Sequence, residues 1–190
     1  MTSVFISGSR SIKNLAPEVL GRLDNLISSN LNVIVGDSKG VDTSIQEYFD
    51  KNNFKKITVY FVGDGPRNNI AYSATKYVKT NALAGSRSFY TAKDLTMASD
   101  ADYGLMIWDA KSPGTLSNVI ELLRNKKKSV VYVNKERLFK TVKSTSDLED
   151  LLEFMSDHAK MKANEKISLS SLIASLKNEQ TDLFNTKRAG

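Results

Sequence analysis

The 190-residue sequence predicts an α/β fold: a parallel sheet of about five strands with helices on both faces, followed by a C-terminal helical extension. Three observations carry that expectation. Short, nearly uninterrupted apolar runs rich in β-branched and aromatic residues recur at 4–6, 33–35, 57–62, 105–108 and 130–133, the pattern of strands covered on both faces. Between them lie segments with apolar residues three and four apart, as helices crossing between parallel strands require. The chain is 41% hydrophobic and has no Cys, so a packed core and not a disulfide frame must hold it together.

Taken in order, the first strand is followed by a helix marked by Leu15, Val19, Leu23, Leu26 and Ile27, and the second by one marked by Ile45, Tyr48 and Phe49. After the third strand, Gly63, Gly65, Pro66, Asn68 and Asn69 are turn formers, and residues 72–83 lack a clean period. A long loop with one short element is expected over 63–87, at the carboxyl end of a strand where loops tend to be functional. A helix then begins at Thr91, with Thr91 and Asp94 spaced as a capping box. The fourth strand leads to a helix carrying Leu116, Val119, Ile120 and Leu123, and the fifth to a Lys/Arg-punctuated segment. Leu148, Leu151, Leu152 and Met155 predict one helix over 146–161, residues 163–166 a break, and 169–176 a further helix. The expected division is a ligand-binding domain at 1–144 and an extension at 145–190, whose helices pack on the domain or on a second copy of the chain.

Charge is unevenly placed. Residues 1–144 hold 21 Lys and Arg against 13 Asp and Glu, and residues 145–190 hold 6 against 8. A basic body in a chain whose overall pI is near 9.4 suits phosphate-bearing partners, small nucleotides or nucleic acid. His158 is the only histidine, which excludes histidine triads and multi-histidine metal sites within one chain. No apolar run approaches the roughly 18–20 residues of a membrane span, and neither a basic leader nor a secretory core opens the sequence. A cytoplasmic protein without a membrane partner is expected.

In an open parallel sheet the ligand lies at the carboxyl ends of the strands, and the loops expected there are rich in chemistry. After the first strand, Ser7-Gly8-Ser9-Arg10-Ser11 offers a glycine for close backbone approach, hydroxyl donors, and the planar fork of Arg10 for phosphate. Gly85-Ser86-Arg87-Ser88 repeats the same tetrapeptide without flanking similarity. Gly36-Asp37-Ser38-Lys39-Gly40-Val41-Asp42 follows the second strand. Here Asp42 is either a helix N-cap or a ligand contact, and Asp37 is placed to reach ribose hydroxyls. Neither a Walker pattern nor a dinucleotide glycine fingerprint is present. After the fourth strand come Asp109, Ser112, Pro113, Gly114 and Thr115, with Ser112 as N-cap and Pro113 at the first helical position. The unpaired amides of that helix start form a second phosphate seat, and Asn118 lies off the apolar stripe toward the same crevice.

In order, SGSR, GDSKGVD, KDLTMASDADYGLMIWD and KSPGT resemble the SLOG superfamily over roughly residues 3–134, most closely its small YspA-like members. That superfamily also contains the DNA processing protein A family and the Lonely Guy phosphoribohydrolases. The resemblance implies a Rossmann-like sheet that binds nucleotides or their derivatives, with phosphate on the GT loop. The hydrolases are similar in using PGGxGTxxE and an Arg in RKxxM. Here the glutamate position is Asn118 and the arginine position is Lys93. An amide cannot act as acid or base, nor stabilise an oxocarbenium ion as a carboxylate does.

The leading expectation is a nucleotide-binding domain that senses, sequesters or processes its ligand. Ser9, Arg10, Gly114 and Thr115 would grip phosphate, with Gly8, Gly40, Lys93, Asp109, Ser112 and Asn118 completing the surround. Asp37 or Asp42 would contact ribose, and Arg67 and Asn68 would close over the ligand. An N-glycoside hydrolase or transferase acting on nucleoside monophosphates is the second expectation, with Asp94 as its candidate acid or base. The third is a nucleic-acid-binding module, suggested by the basic body and the basic run at 124–128, although Tyr60, Tyr72, Tyr77 and Tyr90 are not interleaved with a basic stripe. No cofactor is required; Mg2+ would enter only through a bound phosphate.

Overall fold

A computed structural model describes residues 2–70 and 73–185, with backbone alone over 180–185. Tyr72 and the end of the expected extension, 186–190, lie outside the described residues. Seven strands among them form one sheet: β1 (Ser3–Gly8), β2 (Asn32–Val35), β3 (Ile57–Phe61), β4 (Ala74–Tyr77), β5 (Tyr103–Trp108), β6 (Ser129–Val133) and β7 (Leu138–Val142). Their order is β4-β3-β2-β1-β5-β6-β7, and all neighbours are parallel except β6 and β7. The Rossmann-like α/β class is as the sequence predicts. The two added strands are the sheet's edges.

Helices α1 (Pro17–Ser28) and α2 (Val41–Lys51) cover one face. Strand residues Val4, Ile6, Val33, Val35, Leu105 and Ile107 meet Val19, Leu23, Ile45 and Phe49 there. Alternate residues Phe5, Ile34, Met106 and Trp108 point to the other face, as the two-residue period of a strand dictates. That face is covered by α3 (Arg87–Asp100) and α4 (Pro113–Arg124).

The extension forms α5 (Thr145–Leu152), α6 (Asp157–Ile167) and α7 (Leu169–Asn185). The single helix expected over 146–161 is two: α5 ends at Leu152, and Ser156 caps α6 by accepting from the Ala159 amide. The break expected at 163–166 falls instead at Ser168, whose backbone is left-handed with φ of 52°. Leu148, Leu151, Met155, Ala163, Leu169 and Leu176 share one apolar cluster with Met97, Leu116 and Ile120. Among the described residues, the apolar stripes of the extension pack on the domain. Fully burying one such leucine is worth about 1.5–3 kcal/mol.

Helix α3 also differs from expectation. It starts at Arg87, capped by Ser86 Oγ, which accepts from the Phe89 amide. Thr91 and Asp94 therefore lie inside the helix and form no capping box. The segment before it, Asn81-Ala82-Leu83-Ala84-Gly85-Ser86, has no helical period from which an earlier start could be read.

Candidate functional site

Chain connections diverge between β1 and β5: β2, β3 and β4 lie to one side, β6 and β7 to the other. Loops leaving the carboxyl ends of these two strands part around a crevice, the usual ligand position in an open α/β sheet. The β1 loop is stitched to β5. The Ser9 amide donates to the Ile107 carbonyl at 2.9 Å, and the Asp109 amide donates to Ser9 Oγ at 3.0 Å. Asp109 in turn accepts from the Ser112 and Lys111 amides at 2.7 and 2.9 Å and from Ser11 Oγ at 2.7 Å. Burial pushes its carboxyl up, but these donors outweigh burial and hold it below the usual carboxylate range.

Several residues expected on the ligand face into the protein instead. Ser9 and Thr115 are buried with their hydroxyls 3.5 Å apart, and Thr115 Oγ1 also bonds Ser112 Oγ at 3.3 Å. They join the two loops from behind. Asn118 is buried and donates to Ser7 Oγ at 3.1 Å. Ser112 occupies the N-cap position of α4, but its side chain makes no cap bond. Gly8 and Gly40 serve packing between loops: a Cβ on Gly8 would sit 2.3 Å from the Ile107 carbonyl oxygen, and one on Gly40, at φ of +85°, 2.5 Å from that of Arg10.

Behind the crevice lies a buried polar cluster. Asp37 is bound by Arg67 through its amide (3.0 Å), Nε (3.1 Å) and Nη2 (2.6 Å), and its side chain is fully buried. The expected ribose contact would require breaking this fork. Burial raises the Asp37 carboxyl, but the Arg67 bonds and the Lys93 charge bring it below its ordinary value. Lys93, 3% exposed, lies 2.7 Å from Asp94 and 3.9 Å from Asp37. Desolvation favours its neutral form, yet Asp94, Asp42 and Asp37 keep its ammonium above the ordinary range.

Asp42 is no N-cap; it lies in the first turn of α2 and accepts from the Ser38 amide at 3.1 Å. Its other oxygen is buried with no hydrogen-bond partner among the described residues. Burial pushes its carboxyl up to about 7 against the pull of Lys93. Asn68 is tied down by its bond to Thr43 Oγ1 at 2.7 Å.

In front of this cluster opens a cleft of about 610 Å³. Of the predicted site residues, Arg10, Arg67, Lys93, Asp94, Ser112 and Gly114 line it. Gly8, Ser9, Asp37, Gly40, Asp42, Asn68, Asp109, Thr115 and Asn118 do not, and support the loops that do. Two further lining residues, Ser38 and Pro113, neighbour predicted ones in the same loops, and Arg87, Tyr90, Thr91 and Lys166 were missed. Arg87, Tyr90 and Thr91 could have been found from the repeated Gly-Ser-Arg-Ser motif, because Ser86 starts α3 and spacings of three and four then place Tyr90 and Thr91 beside Arg87. Lys166 comes from α6, which the sequence did not link to the crevice. Tyr90 carries the Arg67 guanidinium 4.6 Å above its ring.

The start of α4 completes the site. Its first amides have no partner within the helix, Ser112 leaves them uncapped, and nothing lies within 4 Å of a Cβ built on Gly114. Among the described residues Asp94 is the only carboxylate on the cleft wall, and it is paired with Lys93. Among the described residues no group of three or more His, Cys, Asp or Glu side chains is placed to hold a metal ion. No described helix is long and apolar enough to cross a membrane.

The fold is an open, mostly parallel α/β sheet with helices on both faces. No family model matches the sequence, and a search of curated proteins returns no match. Among solved structures the chain is similar to DNA processing protein A from Helicobacter pylori, whose structure was described for its single-stranded DNA binding mode, with a TM-score of 0.52 and 16% identity. The match covers 68% of this chain and 64% of that one, so the chain spans less than two thirds of its neighbour. At that identity the likeness is one of fold.

Proposed function

We propose that the chain is a SLOG-type domain that binds a nucleotide or nucleotide-derived ligand in this cleft. The observation that carries the reading is the meeting of Arg10 and the open start of α4 on one cavity wall. Arg10 has no carboxylate partner among the described residues, so its fork is available to a phosphate, while the Gly114 and Thr115 amides supply donors at the positive end of a helix. The half-exposed ring of Tyr90 gives a base or ribose an apolar face. A volume of about 610 Å³ falls within the range of small-ligand sites.

Processing of the ligand is a further step of the same reading. Asp94 is the acid or base candidate because, among the described residues, it alone presents a carboxylate to the cleft. Mg2+, where used, would ride on the ligand's phosphate. Titrating the four common nucleoside 5'-monophosphates into the protein by calorimetry tests binding. At least one should bind, and Arg10→Ala should lose that binding while remaining folded; equal affinity in the variant would sink the site. Release of free base that stops in Asp94→Asn would add the hydrolase.

A second reading, a nucleic-acid module, is favoured by the fold likeness to a protein studied for its binding of single-stranded DNA and by the basic body of the chain. Its mark is affinity for an oligonucleotide that falls steeply with salt.

A further inference from the structure

Arg87 and Lys166 sit together on the cleft wall in an arrangement that a single phosphate on Arg10 does not use. Arg87 begins α3 and donates through Nη1 to the Lys166 carbonyl at the end of α6. Both side chains are exposed, both line the cavity, and neither has a carboxylate partner among the described residues. The nearest candidate on the wall, Asp94, is occupied by Lys93 at 2.7 Å. With Arg10, and apart from Arg67 and Lys93, which are paired with Asp37 and Asp94, the cleft therefore holds three cations from three separate elements without a carboxylate partner among the described residues. A phosphate monoester brings about −1.5 to −2, which answers Arg10 and the α4 amides and leaves the Arg87–Lys166 pair uncompensated.

The two cationic places are joined by one helix face. Arg87, Tyr90, Thr91 and Asp94 fall at spacings of three, four and seven on α3, a single stripe along the cleft. Tyr90 and the Thr91 hydroxyl thus lie on the surface that continues from Arg87. We infer that Arg87 and Lys166 form a second anion seat, and that the ligand is a nucleotide bearing two separated anionic groups. The C-terminal extension thereby contributes directly to recognition. This rests on the nucleotide reading of the cleft and narrows its ligand class.

Calorimetry with each nucleoside 5'-monophosphate and its 3',5'-bisphosphate tests the inference. For the base that binds, the unaltered protein should hold the bisphosphate about tenfold or more tightly than the monophosphate, the scale of one added charge-assisted contact. Arg87→Gln and Lys166→Gln should each erase most of that preference, and Lys166→Arg should keep it. Monophosphate binding that needs Arg10 but shows no gain from the second phosphate would overturn the second seat and leave the first reading standing. Absence of any nucleotide binding would remove both. Arg87→Gln that only lowers the melting temperature, with the preference intact, would make Arg87 a brace for α6 and overturn its role in the seat. Weakened binding of an eight-residue oligothymidylate in both Gln variants, with no change for the bisphosphate, would assign the seat to a strand and also overturn the inference.

Discussion

Lys93 and Arg10 line the same cleft, yet their surroundings are opposite. Lys93 is 3% exposed and lies among Asp37, Asp42 and Asp94, with Arg67 binding the far side of Asp37. Arg10 is exposed and has no carboxylate partner among the described residues. Burying an ion is tolerable only with partners in place, and at the back of the cleft the charges answer one another, with one Asp42 oxygen left without a hydrogen-bond partner. An exposed cation keeps its water and can wait for a ligand. The back shapes the loops, and the rim is left to bind.

The sharpest way to break that contrast is to remove the buried cation. Lys93→Met leaves three carboxylates close together with only Arg67 to answer them, and should cost about 3–5 kcal/mol. Urea unfolding at pH 7 measures it. A loss under about 1 kcal/mol would mean that water reaches the cluster and that the back of the cleft is no different from its rim.

Next in size is Asp42. Its folded carboxyl titrates at about 7 against an ordinary 3.8. A raised carboxyl contributes its stability fully below pH 3.8 and loses it as pH rises through about 7. Asp42→Asn should therefore match the unaltered protein near pH 4 and exceed its stability at pH 8, by roughly 2–4 kcal/mol. The lowered carboxyls of Asp37 and Asp109 work the other way, losing stability as pH falls, but they are common to both proteins and cancel in the difference. Equal loss at both pH values would show Lys93 holding Asp42 charged.

Gly40→Ala separates loop packing from ligand contact. At φ of +85°, with a Cβ 2.5 Å from the Arg10 carbonyl oxygen, the change strains backbone against backbone and should cost about 1–3 kcal/mol without any ligand present. A variant that is stable but binding-deficient would return Gly40 to the ligand face.

The same division explains what was readable in the sequence. Central strands such as 105–108 are covered on both sides and therefore written as unbroken apolar runs. Edge strand β4, Ala-Thr-Lys-Tyr, is exposed at every position, and β7 is exposed or half-buried along most of its length, so neither leaves that signature. The loops carrying Arg10 and Gly114 could be placed because strand-to-helix turns end the apolar runs. Which of their residues point outward could not, since Ser9 and Thr115 are the right chemistry for a phosphate and equally right for a bond to each other. Lys166 was hidden for a different reason: it reaches the cleft through the docking of α6 on α4, a contact between segments more than thirty residues apart.

Arg10→Ala should have the smallest effect on the empty protein, within about 0.5 kcal/mol, because an exposed side chain without a partner has little to lose on truncation. Its effect should emerge only with ligand. A nucleotide that binds the folded state raises the melting temperature in proportion to the logarithm of its concentration over its dissociation constant, so adding a nucleoside monophosphate should shift the unaltered protein and leave the variant where it was. The paired measurement isolates the rim from the back: Lys93→Met moves the melting temperature before any ligand is added, Arg10→Ala only afterwards. If Arg10→Ala already destabilised the empty protein by more than about 1 kcal/mol, Arg10 would be held by partners of its own, and the open rim would be one more part of the scaffold.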